Sequence, residues 1–140
     1  MNQRVALVTG AGKRVGRAVA ERFAKAGYDV IVHYSASESD AADVAASIKS
    51  LGRKAVTIRA NLQSTDEIAA LIARAYAEFG QLDVLVNNAA IFFPDHLSDF
   101  SVSNLNRAWE VNCRAPILLT QAFYNAAKAR NQTGVVINII

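Results

Sequence analysis

The sequence has 140 residues, is 52% apolar, carries a formal net charge of +3 and holds one cysteine. A chain of this length buries one core; a lone thiol excludes an internal disulfide or a multi-thiolate metal site, and no apolar run approaches the roughly 20 residues of a membrane-spanning helix. Basic residues are scattered except for Lys13, Arg14 and Arg17, which marks a local anion site and not a nucleic-acid or membrane surface.

The N-terminal residues lead directly into a strand with no charged-then-apolar leader, so a cytosolic domain is expected. The single thiol, Cys113, is expected to be a small buried hydrophobe.

The elements alternate strand and helix. Arg4 to Thr9 is an unbroken apolar strand, which must be buried on both faces as in a parallel sheet. It runs into Gly10-Ala11-Gly12-Lys13-Arg14-Val15-Gly16, whose glycines permit a tight turn and close helix packing. A helix over about Arg14 to Lys25 follows, closed by Gly27. Its N-terminal amides and positive dipole end suit a phosphate.

Asp29 to Tyr34 is the second strand, and about Ser39 to Leu51 the second helix, with Ala42, Ala45, Ala46, Ile48 and Leu51 available to pack. Lys54 to Ala60 is the third strand; Thr65 to Phe79, capped by Ser64 or Thr65 and stopped by Gly80, is the third helix. Leu82 to Asn87 is the fourth strand. Val102 to about Arg130 reads as two helical pieces broken near Pro116, with Trp109, Val111, Ile117 to Leu119, Ala122, Phe123 and Ala126 on an apolar face. Gly134 to Ile140 is the fifth strand. Right-handed crossovers then order the strands 3-2-1-4-5 in a doubly wound α/β sheet of the Rossmann type, one domain over residues 1–140.

The turn Thr9-Gly10-x-x-x-Arg14-x-Gly16 resembles the Thr-Gly-x-x-x-Gly-x-Gly turn of the short-chain dehydrogenase/reductase family, with arginine for the middle glycine. That replacement is similar to the pteridine reductases, in which the arginine faces the cofactor phosphates and the substrate. The resemblance implies that Gly10, Lys13, Arg14, Val15 and Gly16 hold a dinucleotide. A guanidinium offers five fixed donors to an oxyanion.

An NAD site needs an acidic side chain about 20 residues past the glycine turn. Here stand His33-Tyr34-Ser35-Ala36-Ser37, neutral and rich in hydroxyls. A ribose 2′-phosphate would be accepted by such groups and by Arg14, so NADP(H) is the expected cofactor, with His33, Tyr34, Ser35 and Ser37 beside it. The same stretch could also serve as an ordinary polar loop opening the second helix.

Asn61-Leu62 lies where the family has Asp-Leu against the adenine, and Asn61 can accept through its amide oxygen. Asn87-Asn88-Ala89-Ala90 resembles the family's Asn-Asn-Ala-Gly, which implies that Asn88, Ala89 and Ala90 line the ribose side of the cofactor. Phe92 and Phe93 could simply pack their loop. The order Asn-Asn-Ala-x-x-aromatic-aromatic-Pro is similar to the pteridine reductases, which implies that Phe92 stacks on a pterin while Phe93 packs inward.

Asn112, about 25 residues after the Asn-Asn-Ala turn, matches the family's active-site asparagine, which kinks its helix and holds a water in the proton relay. Alone, it could equally be a solvated or capping residue. Tyr124 and Lys128 spell Tyr-x-x-x-Lys but precede the fifth strand, whereas the family's catalytic pair follows it, so the match is read as coincidence.

Together the resemblance implies an NADPH-dependent reductase of a pterin, cytosolic and homotetrameric, with the sequence as the N-terminal portion of a longer enzyme that carries the proton donor further on. A carbonyl or 3-oxoacyl reductase, and a non-catalytic NADP-binding module, are the other readings. Neither a metal nor a nucleic-acid partner is expected.

Overall fold

A computed structural model describes residues 3–140. Five parallel strands, β1 (Arg4–Val8), β2 (Tyr28–Tyr34), β3 (Ala55–Arg59), β4 (Val84–Asn87) and β5 (Val135–Asn138), lie in the order β3-β2-β1-β4-β5. The helices are α1 (Arg14–Lys25), α2 (Glu38–Ser50), α3 (Thr65–Phe79), α4 (Val102–Trp109) and α5 (Ala115–Ala129), with a π-helical turn over Glu110–Arg114 joining the last two. The strand order and the element sequence are those expected, and each boundary falls within about two residues.

The sheet is buried on both faces because its central strands are apolar at successive positions. Val5, Leu7, Ile31 and Leu85 meet Leu71, Ile72, Leu119 and Phe123 of α3 and α5 on one side. Ala6, Val8, Val30, Val32 and Val86 meet Ala20, Ala24, Val44 and Ile48 of α1 and α2 on the other. Each fully buried Leu or Ile contributes about 1.5–3 kcal/mol, so Leu7→Ala would cost about 2–5 kcal/mol. At the edge, β5 pairs only with β4 and leaves Val135 and Ile137 exposed.

Three packing expectations differ from the structure. On α2 the inward stripe is Ala41, Val44, Ala45 and Ile48, while Ala42, Ala46 and Leu51 are exposed. In an alanine-rich helix the apolar pattern does not single out one face. Ile117 is exposed because α5 buries the row Ala115, Leu119, Phe123 and Ala127, spaced at four, and Trp109 is exposed at the end of α4, a helix with no buried residue. Cys113 is exposed as well, on the outer side of the π turn.

The expected break near Pro116 is not a break. Pro116 sits in the first turn of α5, where its missing N–H is not needed. The distortion falls just before it, where the Ala115 amide donates to the Glu110 carbonyl across a widened turn. The chain stays helical, and the widened turn contains Asn112.

Candidate functional site

In this strand order the crossovers reverse direction between β1 and β4, and a crevice opens at the carboxyl ends of those two strands. The turns that leave them are fastened together. Thr9 Oγ1 accepts the amides of Asn88 and Ala89, both at 3.0 Å, and donates to the Val86 carbonyl at 3.3 Å. Asn88 Nδ2 donates back to the carbonyls of Thr9 (3.0 Å) and Gly10 (3.2 Å). The glycine turn and the Asn-Asn-Ala-Ala turn thus form one rigid floor.

Two glycines make this floor possible. A Cβ on Gly16 would stand 2.1 Å from the Gly10 carbonyl oxygen and 2.5 Å from Asn88 Nδ2. Gly10 has φ +61, and its Cβ would press on Ala89 at 3.0 Å. Arg14 adopts φ 49, a left-handed conformation unusual for a residue with a side chain. It places the guanidinium at the head of α1.

The helix end itself is bare. Lys13 occupies the N-cap position without a side-chain bond, and the first turn contains no acidic residue. The first helical amide with a carbonyl partner four residues back is that of Arg17, which donates to Lys13 at 3.2 Å. The preceding amides are the orphan donors of a helix start. Lys13 Nζ makes an exposed ion pair with Asp40 at 3.1 Å, an interaction worth little in water.

A cleft of about 540 Å³ opens above the floor. It is lined by Gly10, Lys13, Arg14, Val15, Gly16, His33, Ser35, Asn61, Leu62, Asn88, Ala89 and Ala90, all expected from the sequence, and also by Gln63, Ile91, Arg107 and Val111. Three of these side chains are cationic and none is a carboxylate.

The residues expected at the cofactor do not all reach the cleft. Tyr34 packs instead against the core beneath α1 and α2. Ser37 takes the N-cap position of α2 and is absent from the cleft walls. Asn61 is at the wall, but its side-chain oxygen already accepts the Gln63 amide at 3.0 Å, and its own amide donates to Glu67 at 2.6 Å.

His33 differs most from expectation. It is 1% exposed, and both ring nitrogens are engaged inside the fold. Nδ1 accepts the Gly10 amide at 3.0 Å, and Nε2, carrying the hydrogen, donates to the Ala60 carbonyl at 2.9 Å. Burial lowers the imidazole pKa from 6.5 to about 4, against the opposing pull of the Ala60 carbonyl. The ring is therefore neutral at pH 7. The sequence held a signal for this: His33 continues the run Val30 to Val32 on a strand buried on both faces, where a polar group needs internal partners.

Asn112 lies within the π turn. Its Oδ1 accepts the Ile91 amide and its Nδ2 donates to the Ile91 carbonyl, both at 2.8 Å. The carboxamide thus pins the loop that follows the Asn-Asn-Ala-Ala turn. A second hollow, lined by Asn87, Ala89, Ala90, Asn112, Pro116, Ile117, Thr120 and Asn138 among others, adjoins that loop.

Phe92 lies outside the first cleft, 86% exposed, at a smaller hollow with Ile91, Phe93, Phe100 and Asn112. Phe93 is half-buried under Arg107, whose guanidinium stands 5.0 Å above its ring, and is not part of either core cluster. Tyr124 and Lys128 face each other on the outer side of α5, 5.8 Å from ammonium to ring centre, and line neither the cleft nor the hollow at Asn112. Among the described residues no cluster of His, Cys, Asp and Glu is suited to a metal ion, and no helix is long and apolar enough to cross a membrane.

Residues 4–140 match the family model described as short chain dehydrogenase. An uncharacterized oxidoreductase of Methylorubrum extorquens is 35% identical over 136 residues, which cover 97% of this chain and 54% of that protein. Versicolorin reductase 1 of Dothistroma septosporum is 34% identical over 124 residues, 89% of this chain and 47% of that one. A short chain dehydrogenase from Burkholderia cenocepacia, solved in complex with NADP, is similar with a TM-score of 0.88 at 34% identity, covering 97% of this chain and 54% of the other. The chain spans about half the length of the relatives it matches.

Proposed function

Since this chain belongs to the short chain dehydrogenase family, we propose that it forms the NADP(H)-binding part of a reductase acting on a flat heteroaromatic substrate of the pterin type. One observation carries the cofactor reading: the cleft at the head of α1 is lined by Lys13, Arg14 and Arg107 and by no carboxylate. A ribose 2′-phosphate needs such a lining, whereas an NAD site uses an acid at the end of β2. The bound NADP of the similar Burkholderia cenocepacia structure supports the same reading.

The residues present fit a dinucleotide. Gly16 leaves room for the backbone to close under a pyrophosphate, and the uncapped amides of α1 face it. Arg14, with Ser35 across the cleft, would hold the 2′-phosphate; Asn61 and Leu62 would form the adenine wall, and Asn88, Ala89 and Ala90 the floor beside the ribose. When bound, NADPH supplies the hydride. Asn112 keeps the Ile91 segment fixed at the edge of the hollow where a substrate carbonyl or imine would lie. In the whole enzyme the proton donor belongs to the length of the family that this chain does not cover.

Arg14 at the turn and Phe92 at the neighbouring hollow support the pterin class. An aromatic stack contributes about 0.5–1.5 kcal/mol beyond area burial, and the buried apolar area adds about 25 cal/mol per Å². In the intact enzyme Phe92→Ala should raise KM for dihydropterins about tenfold, leave NADPH affinity little changed and spare aliphatic ketones. Turnover of 3-oxoacyl substrates with no turnover of pterins would replace this reading with that of a 3-oxoacyl reductase.

A further inference from the structure

Among the residues that line the cleft, one polar side chain is fully buried, with both of its ring nitrogens engaged inside the fold. His33 lies on β2, directly behind the glycine turn, and binds two successive amides of that turn. Its ring Nδ1 accepts from Gly10 and its own carbonyl accepts from Ala11, each at 3.0 Å. On the far side of the ring, Nε2 donates to the Ala60 carbonyl, one residue before Asn61 on the opposite wall of the cleft. The Ala60 amide in turn donates to the Tyr34 carbonyl at 3.1 Å.

We propose that His33 is a positioning residue for cofactor binding, a buried crosspiece that holds the glycine turn and the Asn61 wall at a fixed separation. The inference rests on the cofactor reading above and names a different role for His33 from the direct contact expected of it. The Gly10 and Ala11 amides are taken by His33 and cannot meet a phosphate. The anion is therefore met further along, by the orphan amides at the head of α1 and by Arg14. Gly10, at φ +61, directs its N–H at the His33 ring on β2. An aliphatic side chain at position 33 would suit the apolar run but leave that amide unpaired. Burial keeps the ring neutral, so the Nδ1 lone pair is free to accept.

The test compares two variants in the intact protein. His33→Phe keeps the ring volume and loses both polar contacts; His33→Asn has a side-chain oxygen placed near the position of Nδ1 and loses only the reach to Ala60. Three quantities are read: the NADPH dissociation constant by calorimetry, hydrogen exchange of the Gly10 amide by NMR, and the melting temperature. His33→Phe should weaken NADPH about tenfold and speed Gly10 exchange about tenfold, as expected for one lost hydrogen bond. His33→Asn should melt at a lower temperature yet keep affinity and Gly10 protection within about threefold.

Equal losses of affinity in both variants, in step with melting temperature, would overturn the proposal; so would unchanged affinity in His33→Phe. Should His33→Phe fail to fold, the nitrogen-15 spectrum of the native imidazole decides. An unprotonated Nδ1 coupled to the Gly10 amide supports the crosspiece, and a protonated Nδ1 overturns it. If the wild-type protein binds no NADPH, the cofactor reading fails by itself, while Gly10 exchange in the variants still decides whether His33 holds the turn.

Discussion

Helices α1 and α3 each start where a parallel strand ends, at the same edge of the sheet, yet their first turns are built in opposite ways. At α3, Ser64 Oγ accepts the Glu67 amide at 3.3 Å, Asp66 and Glu67 place negative charge on the positive dipole end, and Glu67 also accepts the Asn61 amide. At α1 the cap position is Lys13 with no side-chain bond, acids are missing from the first turn, and Arg14 and Arg17 add positive charge. By itself such an arrangement is unfavourable by about 0.3–1 kcal/mol per charge. The contrast separates a helix end finished by its own side chains, α3, from one whose first turn has neither a side-chain cap nor an acid, α1, the place that the proposal above gives to an anion.

The largest effect should come from closing the α1 floor. Gly16→Ala puts a methyl group 2.1 Å from the Gly10 carbonyl and into the Asn88 carboxamide, so the turn must open. NADPH binding should fall at least 100-fold by calorimetry while α3 keeps its cap. Retention of wild-type affinity would show that the floor is softer than its contacts indicate.

A second effect, on stability instead of affinity, separates the two regions by pH. The folded pKa of His33 is about 4, below the 6.5 of the unfolded chain. The unfolded state therefore binds a proton first as pH falls. The stabilisation is complete above about pH 6.5 and is lost progressively toward pH 4, by about 3 kcal/mol in all. Urea unfolding across this range should show the decline, and His33→Asn should lack it. Nothing comparable is expected at the start of α3.

The smallest effect belongs to α3. Ser64→Ala removes one cap and should cost about 1 kcal/mol of stability by denaturant unfolding, with NADPH affinity unchanged. A loss of affinity there would mean that the α3 end is part of the binding surface.

The strand order and the course of the glycine turn were legible in the sequence because both follow local rules: continuous apolar runs mean buried parallel strands, and a glycine set between strand and helix means a close turn. Pairings across the sheet were less visible. His33 looked like a ligand contact because its neighbours Tyr34, Ser35 and Ser37 are polar, and only the β1–β2 register shows that it faces Gly10. Gln63 and Arg107 reach the cleft from loops and helices whose approach no periodicity encodes. Cys113, Trp109 and Ile117 were misplaced for other reasons. The widened turn at 110–114 shifts the helical phase ahead of Ile117. Helix α4 buries none of its residues and so leaves Trp109 exposed, and the usual burial of a lone thiol does not hold for Cys113.

The central claim is that the bare, cationic head of α1 is a site for NADP(H) in preference to NAD(H). Calorimetric titration of the intact protein with NADPH and with NADH tests it most directly. The charged hydrogen bonds of Arg14 to a 2′-phosphate are worth about 1.5–3 kcal/mol, so NADPH should bind about 10- to 100-fold more tightly, and Arg14→Ala should narrow that gap without weakening NADH to the same extent. Equal affinities for the two cofactors in the wild-type protein would contradict the account.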